Sequence, residues 1–419
     1  MTTSAINKSA PLKGFKKICK NLLFNVFEQI EYGTITIQDS EGEQTFAGKS
    51  KPDELHAFLE IKDPSVYVDM LLGGSIGAGE AYMSGDWTSP NTTDVIRFMS
   101  LNLKAVERLD SGTALLSKPA QLAYHLKNRN TPKGSRRNIA AHYDLGNEMF
   151  KLFLDPTMMY SSAIFPQQDS TLEEGSLYKL ERICKKLDLK SSDHLVEIGT
   201  GWGGMAVYAA KNYGCRVTTT TISQQQYDYA KQRIDESGVS HLITLLKTDY
   251  RNLTGKYDKL VSIEMIEAVG HQYYPDYFRT LSSLLKDDGL GLIQAITIDD
   301  KRYEKAKNDI DWIQRYIFPG ACLPSIKALL HTSALHSDLE LKHLEDITPH
   351  YARTLKLWRD NFLAQVDKIR ALGYNEEFIR MWDYYFCYCE GGFAEHVIGD
   401  VQMLFSKPLY RGKSVLGDL

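Results

Sequence analysis

The sequence lacks the features that mark several large classes of protein. Its longest apolar runs fall far short of the roughly 20 residues that span a bilayer. Its first residues contain no apolar core of a secretion signal. Its formal net charge of −4 is not the basic surplus that general nucleic-acid binders carry. We therefore expect a protein that binds no nucleic acid and meets any membrane from its surface.

Cysteine is sparse as well. The six cysteines include no CxxC pair, and Cys387 and Cys389 are too close for an ordinary disulfide. The histidines, His142 among them, lack the spacing of metal ligands. These absences predict a reduced, cytoplasmic protein without a bound metal.

The length of the chain indicates two domains. Its 419 residues exceed what one hydrophobic core usually organises, and 43% hydrophobic with 24% charged residues is ordinary for a globular protein. The turn-rich stretch NTPKGS, at 130–135, follows a basic and polar segment. We therefore predict a smaller α+β domain over 1–125 and a larger domain over 126–419.

The N-terminal region begins with a basic amphipathic pattern. Apolar residues recur at helical spacing over 12–30, interspersed with Lys13, Lys16, Lys17 and Lys20. Such a helix either lies on an anionic lipid surface or docks on its own domain, and the sequence leaves both open. Residues 33–48 alternate in polarity as a β-hairpin does.

The region beyond Ser191 alternates strand and helix patterns. Strand-like HLVEIG precedes helical GGMAVYAAKNYG, and the alternation continues as far as the strand GLGLIQAITI. This order predicts an α/β fold, with a parallel sheet covered by helices on both faces.

A glycine turn between the first strand and helix of this region suggests a nucleotide-like cofactor. Gly199 and Gly201 let the backbone turn sharply beside a helix N-terminus. The second strand ends at Thr218–Thr221 without the acidic residue of dinucleotide folds. Glu197 instead precedes the turn, as in the E/D-x-G-x-G arrangement of class I methyltransferases, and Asp249 ends the third strand. The pattern favours S-adenosylmethionine over NAD.

Sequences flanking the turn resemble one family, the cyclopropane fatty acid synthases and their mycolic acid relatives. The resemblance covers nearly the whole chain, in order. The N-terminal match is GEAYMSGDW (79–87). The matching stretches in the larger domain are HYDLGNEMFKLFLDPTMMYSSAIF (142–165), VEIGTGWGGMA (196–206), TISQQQ (221–226), DYRNL (249–253), IEMIEAVG (263–270), YIFPGACLPS (316–325), HYARTLKLW (350–358) and MWDYYFCYCEGGF (381–393).

The resemblance implies a class I, Rossmann-like, S-adenosylmethionine-dependent methyltransferase domain over 126–419. Its helical insertion, near 303–323, would form an acyl channel, and the domain over 1–125 would contact membrane or support a dimer. The implied reaction is methyl transfer to the cis double bond of unsaturated acyl chains in membrane phospholipids. The resulting carbocation would lose a proton to bound bicarbonate and close a cyclopropane ring. The implied protein is a homodimer, peripheral on the cytoplasmic face of the membrane.

The resemblance also assigns residues to the two halves of the site. It implies that Ser162, Glu267, Gln294, Tyr351 and the backbone of Ile296 hold the bicarbonate, while Tyr143 and Phe318 line the position of the carbocation. It places the cofactor against Tyr160 and Ser161 at its amino-acid end, Glu197, Gly199 and Gly201 at the turn, Thr221 and Gln226 at the ribose, and Asp249 and Tyr250 at the adenine.

Two of these positions depart from the commonest family pattern. Ser162 stands where most members have Cys, and Gln294 where many have His, although both still offer hydrogen-bond donors. A methyl-branched or methylene product therefore remains an alternative to the cyclopropane ring. Three rival functions also stay open: a methyltransferase for a small metabolite, a non-catalytic lipid-binding protein and a nicotinamide oxidoreductase.

Overall fold

The computed structural model describes residues 14–50, 55–106, 128, 130–131, 134–135, 138, 146–412 and 415. Two units divide the chain. The first comprises Met1–Ala123 and Val366–Glu395, and the second comprises Tyr124–Gln365 and His396–Leu419. The first division thus falls two residues before the expected boundary at 125/126. The stretch 366–395, which we expected in the catalytic domain, belongs to the first unit.

The described helices and strands follow the chain in this order: α1 (Phe15–Phe27), β1 (Thr34–Asp39), β2 (Gly42–Ala47), β3 (His56–Ile61), α2 (Val66–Ser84), β4 (Trp87–Thr88), α3 (Thr92–Leu101), α4 (Asn147–Phe150), α5 (Leu172–Lys186), β5 (His194–Ile198), α6 (Gly204–Tyr213), β6 (Arg216–Thr220), α7 (Gln224–Glu236), β7 (Ile243–Leu246), β8 (Tyr257–Ile263), α8 (Tyr274–Leu284), β9 (Leu285–Ile298), α9 (Asp300–Ala306), α10 (Trp312–Tyr316), α11 (Ile326–His336), β10 (Glu340–Asp346), α12 (Thr348–Ala364), α13 (Val366–Ala371), α14 (Glu376–Ala394) and β11 (Ile398–Ser406). Short 3-10 turns connect several of them.

The first unit is a four-stranded sheet in the order β2-β1-β3-β4, with helices packed against it. Strands β1 and β2 form the predicted antiparallel hairpin. Helix α14 and its C-cap residue Glu395 complete this unit through polar contacts: Arg97 Nε lies 2.6 Å from Glu395 Oε1, and the buried Tyr82 hydroxyl donates to Asp383. These contacts explain why a helix so late in the chain belongs to the first unit.

The second unit is a seven-stranded sheet in the order β10-β11-β9-β8-β5-β6-β7. Strands β9, β8, β5, β6 and β7 are parallel, as predicted, whereas β11 runs antiparallel to both of its neighbours. One apolar core lies between the sheet and helices α8 and α11, and another between the sheet and helices α5 and α6. The predicted α/β architecture is confirmed, with the antiparallel strand as an addition.

The described part of the chain contains no membrane-spanning helix. No helix there is both long enough and apolar enough to span a bilayer.

Candidate active site

The predicted glycine turn joins strand β5 to helix α6. Gly199, Gly201 and Gly203 have φ angles of +102°, +52° and +85°, in the region that favours glycine. The N–H groups of Gly199 and Thr200 donate to the Thr220 carbonyl at 3.1 and 3.0 Å. A Cβ at Gly201 would meet no described atom within 4 Å. The turn therefore presents bare backbone to open space at the carboxyl ends of the strands, where α/β folds bind nucleotides.

Glu197 lies within the sheet beneath this turn. It is opposite Thr219 in the register of β5 and β6, and its Oε2 accepts the Thr219 hydroxyl at 2.6 Å. The Thr219 Oγ1 is also 2.6 Å from the Thr200 Oγ1. Burial raises the pKa of Glu197 to about 8, so its carboxyl group is mostly protonated at neutral pH. Glu197 thus supports a residue of the turn through Thr219.

Further polar groups follow strands β6 and β7 at the same edge of the sheet. The Thr221 hydroxyl donates to Gln226 Oε1 at 2.9 Å, which leaves the Gln226 NH2 group for another acceptor. Asp249 pairs with Arg251, whose Nε and Nη2 lie 2.8 and 2.6 Å from the two carboxylate oxygens. The buried Tyr250 hydroxyl has no hydrogen-bond partner among the described residues. These are the groups that the resemblance assigns to the ribose and adenine of S-adenosylmethionine.

An acidic cluster lies at the carboxyl ends of strands β8 and β9. Glu264 directly follows β8, and its carboxylate accepts three hydrogen bonds. Oε1 accepts the backbone N–H of Ser162 at 2.8 Å and the amide of Gln294 at 2.7 Å. Oε2 accepts the Tyr351 hydroxyl at 2.6 Å. The structure thus brings three predicted anion-site residues together, around a glutamate that the sequence analysis did not select.

Two further carboxyl groups belong to the cluster. Glu267 Oε1 accepts the backbone N–H of Ile296 at 2.6 Å, and no described atom hydrogen-bonds to its buried Oε2. Burial, followed by the charge of Glu264, raises the pKa of Glu267 to about 8. Asp400, on β11, accepts the Gln294 amide at 3.0 Å, and the same two causes raise its pKa well above the ordinary range. At neutral pH the Glu267 carboxyl group is therefore mostly protonated.

A buried lysine provides the positive charge of the cluster. The Lys179 Nζ donates to the Ser161 hydroxyl oxygen at 2.5 Å. Burial lowers the pKa of Lys179 to about 8, so the ammonium form still prevails at pH 7. Burial also raises the pKa of Glu264, but the Lys179 charge opposes that effect most strongly, followed by hydrogen bonds from Tyr351 and Ser162.

A second lysine fixes the orientation of Gln294. Lys186 donates to Gln402 Oε1 at 2.8 Å, and Gln402 Nε2 donates to Gln294 Oε1 at 3.0 Å. The two glutamines are paired across β9 and β11. Because an ammonium group only donates, the Gln402 oxygen must face Lys186, and the Gln294 NH2 group must then face Glu264.

Aromatic rings lie beside the acidic cluster. The ring centroid of Tyr160 is 6.3 Å from that of Phe318 and 5.2 Å from that of Trp358. The Trp358 centroid is 6.1 Å from that of Tyr351, whose hydroxyl binds the cluster. Tyr143, the other residue expected in this lining, lies outside the described residues.

The donors that the resemblance assigns to bicarbonate are engaged by carboxyl groups of the protein. Three bind Glu264 and the Ile296 N–H binds Glu267. The Ser162 hydroxyl donates to the Ala163 carbonyl at 2.9 Å. Bicarbonate therefore does not fit this donor set.

The comparison with known families covers the turn, the acidic cluster and the aromatic rings together. Residues 130–403 match the family model described as mycolic acid cyclopropane synthetase. The chain belongs to this family. It is an S-adenosylmethionine-dependent methyltransferase with the class I fold.

Several relatives cover most of the chain. The tuberculostearic acid methyltransferase of Mycobacterium tuberculosis is 38% identical over 76% of this chain and 76% of its own length. The cyclopropane-fatty-acyl-phospholipid synthase of Escherichia coli K12 is 36% identical over 86% of this chain and 90% of its own length. A crystal structure of the mycolic acid cyclopropane synthase CmaA1 with S-adenosylhomocysteine and CTAB is 30% identical, with a TM-score of 0.60, and covers 65% of this chain and 98% of that one.

Sequence reasoning missed three ionisable residues of the site. Glu264 stands inside the matched stretch IEMIEAVG, in which only Glu267 was selected. Lys179 faces the core on α5, a helix rich in charged residues whose sequence gives no signal that this lysine is buried. Asp400 lies on β11, a strand that the sequence analysis did not identify.

Proposed function

We propose that this methyltransferase transfers the methyl group of S-adenosylmethionine to the cis double bond of an unsaturated acyl chain in a membrane phospholipid. The observation that carries the proposal is the position of the acidic cluster and the aromatic rings of Tyr160 and Phe318 at the edge of the sheet that holds the glycine turn. Aromatic faces and a fixed carboxylate both favour a substrate on which positive charge develops during the reaction. The names of the two relatives, which refer to acyl chains, support the lipid substrate.

The residues of the chain meet the chemical demands of this reaction. Bound S-adenosylmethionine supplies an electrophilic methyl group, and an alkene is a poor nucleophile that must be held in line with it, away from water. The faces of Tyr160, Phe318 and Trp358 can stabilise the positive charge that develops on the acyl chain. The carboxylate of Glu264 adds a negative charge that is fixed before the reaction begins.

We further propose a cyclopropane ring as the product, with a methylene or methyl-branched chain as the alternative. A proton must leave the methylated chain in either case, since methyl transfer to an alkene leaves a carbocation. The names of the two relatives support different products: that of the Escherichia coli enzyme refers to a cyclopropane, and that of the Mycobacterium tuberculosis enzyme refers to tuberculostearic acid.

Lipid analysis of cells that express the protein tests the proposal. Unsaturated acyl chains should gain the mass of one CH2 group, and proton NMR should distinguish a ring from an exocyclic methylene. Calorimetry should detect binding of S-adenosylhomocysteine but not of NADH. Unmodified lipids, with folded protein and cofactor present, would refute the lipid substrate.

We also propose that the first unit contacts the membrane through helix α1, on the cytoplasmic face, and that the enzyme works as a homodimer. Helix α1 buries Leu23 and Phe27 within its own unit but leaves Phe15, Ile18 and Leu22 46–58% exposed along one face. Apolar residues exposed in this way on a basic helix suit an anionic lipid surface. One face of the helix therefore supports docking on its own domain, and the opposite face supports contact with lipid.

The charge on this helix is not all available to lipid. Lys20 is buried and lies 2.6 Å from Asp39, and Lys16 lies 3.3 Å from Asp63, whereas Lys17 is exposed. We expect a triple change of Phe15, Ile18 and Leu22 to serine to weaken binding to anionic vesicles at least about tenfold, from the lost apolar burial. Lys20→Met should instead destabilise the first unit. Equal vesicle binding by the triple variant and the wild type, in a sedimentation assay, would contradict the membrane contact.

A further inference from the structure

We propose that the Glu264 carboxylate is the base that removes the proton from the methylated acyl chain, in the place that the family resemblance gives to bicarbonate. This inference rests on the proposed function. Its basis is the donor set: the Ser162 N–H, the Gln294 amide and the Tyr351 hydroxyl all bind the two oxygens of Glu264, at 2.6–2.8 Å. These donors were predicted to bind a dissolved anion, but the anion that they bind is a side chain of the protein itself.

Glu264 is also the carboxyl group of the cluster whose surroundings best stabilise a negative charge. It accepts three hydrogen bonds and has the Lys179 ammonium as its counter-ion. Glu267 and Asp400 have no such partner set, and the Glu264 charge itself raises the pKa of both. When buried carboxyl groups compete in this way, the best solvated of them ionises first and becomes the base.

Glu264 is accessible as well as charged. Ser162, Gln294 and Asp400 are fully buried, whereas Glu264 keeps a partly exposed surface. A carboxylate has about four lone-pair positions, of which three accept the hydrogen bonds above, and the Asp400 carboxyl group is a further hydrogen-bond partner of Glu264.

The backbone at Glu264 is held in an unfavourable conformation. Its φ angle is +46°, in the left-handed region that favours glycine. The Glu264 N–H donates to the Gln294 carbonyl at 2.8 Å, which fixes the residue at the end of β8. Strain of this kind persists where function requires the side chain in one place. A glycine would relieve the strain and would leave the space of the carboxylate open.

The π electron pair of the alkene forms a bond to the methyl carbon while the bond from that carbon to sulfur breaks, which gives S-adenosylhomocysteine and a carbocation on the adjacent chain carbon. Glu264 then takes a proton from the new methyl group. The released C–H electron pair closes the ring onto the cationic carbon or, after a hydride shift along the chain, forms an exocyclic double bond. The proton leaves to solvent from the Glu264 carboxyl group.

Two substitutions at this position, assayed with and without bicarbonate, test the proposal. In buffer freed of carbon dioxide the wild type should keep its full rate. Glu264→Gly and Glu264→Gln should each lower kcat at least about a hundredfold, the usual range for a lost general base. Added bicarbonate or formate should restore activity to Glu264→Gly, whose site is open, but not to Glu264→Gln, whose amide fills it. Both variants should still bind S-adenosylhomocysteine by calorimetry, and Glu173→Gln, on the exposed first turn of α5, serves as the control.

The opposite results would overturn the inference. A wild-type rate that falls in carbonate-free buffer and recovers with bicarbonate would make the dissolved anion the base, as would a Glu264→Gln variant that retains its rate. The wild-type measurement does not depend on whether Glu264→Gly folds. A wild type that modifies no lipid in either buffer would instead refute the proposed function, and this inference with it.

Discussion

Replacing Glu267 by glutamine should stabilise the protein, and the gain should grow with pH. The folded state holds the Glu267 carboxyl with a pKa of about 8, against an ordinary value of 4.5, because the group is buried beside the charge of Glu264. The folded protein must therefore keep a proton that the unfolded chain releases. Glutamine has a similar shape, needs no proton, and can still accept the Ile296 N–H through its oxygen.

The sign and size of the effect follow from this difference in pKa. A group whose pKa is raised on folding opposes stability increasingly as pH rises from the unfolded towards the folded pKa. For Glu267 the cost is below about 1 kcal/mol at pH 5 and reaches about 3 kcal/mol at pH 7. It stops growing above about pH 8. The expected advantage of Glu267→Gln over the wild type therefore increases between pH 5 and pH 8.

Melting temperatures of the two proteins at intervals from pH 5 to pH 8 provide the measurement. The exposed variant Glu173→Gln controls for a change in net charge. In a Glu264→Gln background the pH dependence should shrink, since the Glu264 charge is one of its causes. A difference between Glu267→Gln and wild type that stays constant from pH 5 to pH 8 would refute the argument that the buried carboxyl is protonated.

Two further substitutions test other parts of the site. Lys179→Met removes the positive charge that lowers the pKa of Glu264. The pKa of Glu264 should therefore rise, and the acid limb of the pH–activity profile should move to higher pH. An acid limb at the same pH in the variant and the wild type would contradict the interaction between Lys179 and Glu264. Gly201→Val places a β-branched residue at φ +52° beside the open space at the turn, and should weaken S-adenosylhomocysteine binding at least about tenfold in calorimetry. The matched change Gly238→Val, at φ +77° in the turn after α7, should leave that affinity unchanged.

The sequence was informative where local pattern and chemistry coincide. A strand followed by glycines and a helix predicted the turn at Gly199 and Gly201, because few arrangements other than a tight βα turn require that order. The absence of an acid at Thr218–Thr221 directed the choice of cofactor. The hairpin over 33–48 was equally local, since alternation of polarity and a short polar turn suffice to specify it.

The remaining features depend on packing that no local pattern reveals. Glu264 and Glu267 occupy one short matched stretch, but only the left-handed backbone at Glu264 turns its carboxylate towards Ser162 and Tyr351. Lys179 belongs to a helix rich in charge, so its burial follows from the strands beneath that helix and not from the helix sequence. Helix α14 resembles the C-terminal part of a catalytic domain, yet its Asp383 binds Tyr82, about three hundred residues earlier.

That last contact has a consequence for synthesis of the protein on the ribosome. A domain made of one continuous segment can fold as soon as that segment emerges. The first unit instead needs Asp383 and Glu395, which bind Tyr82 and Arg97. Its N-terminal strands and helices therefore cannot complete the fold of this unit until nearly the whole catalytic sequence has been translated. A fragment that ends near residue 125 would lack α14 and leave those side chains without their partners, so the N-terminal region should not be obtainable as a stable isolated domain.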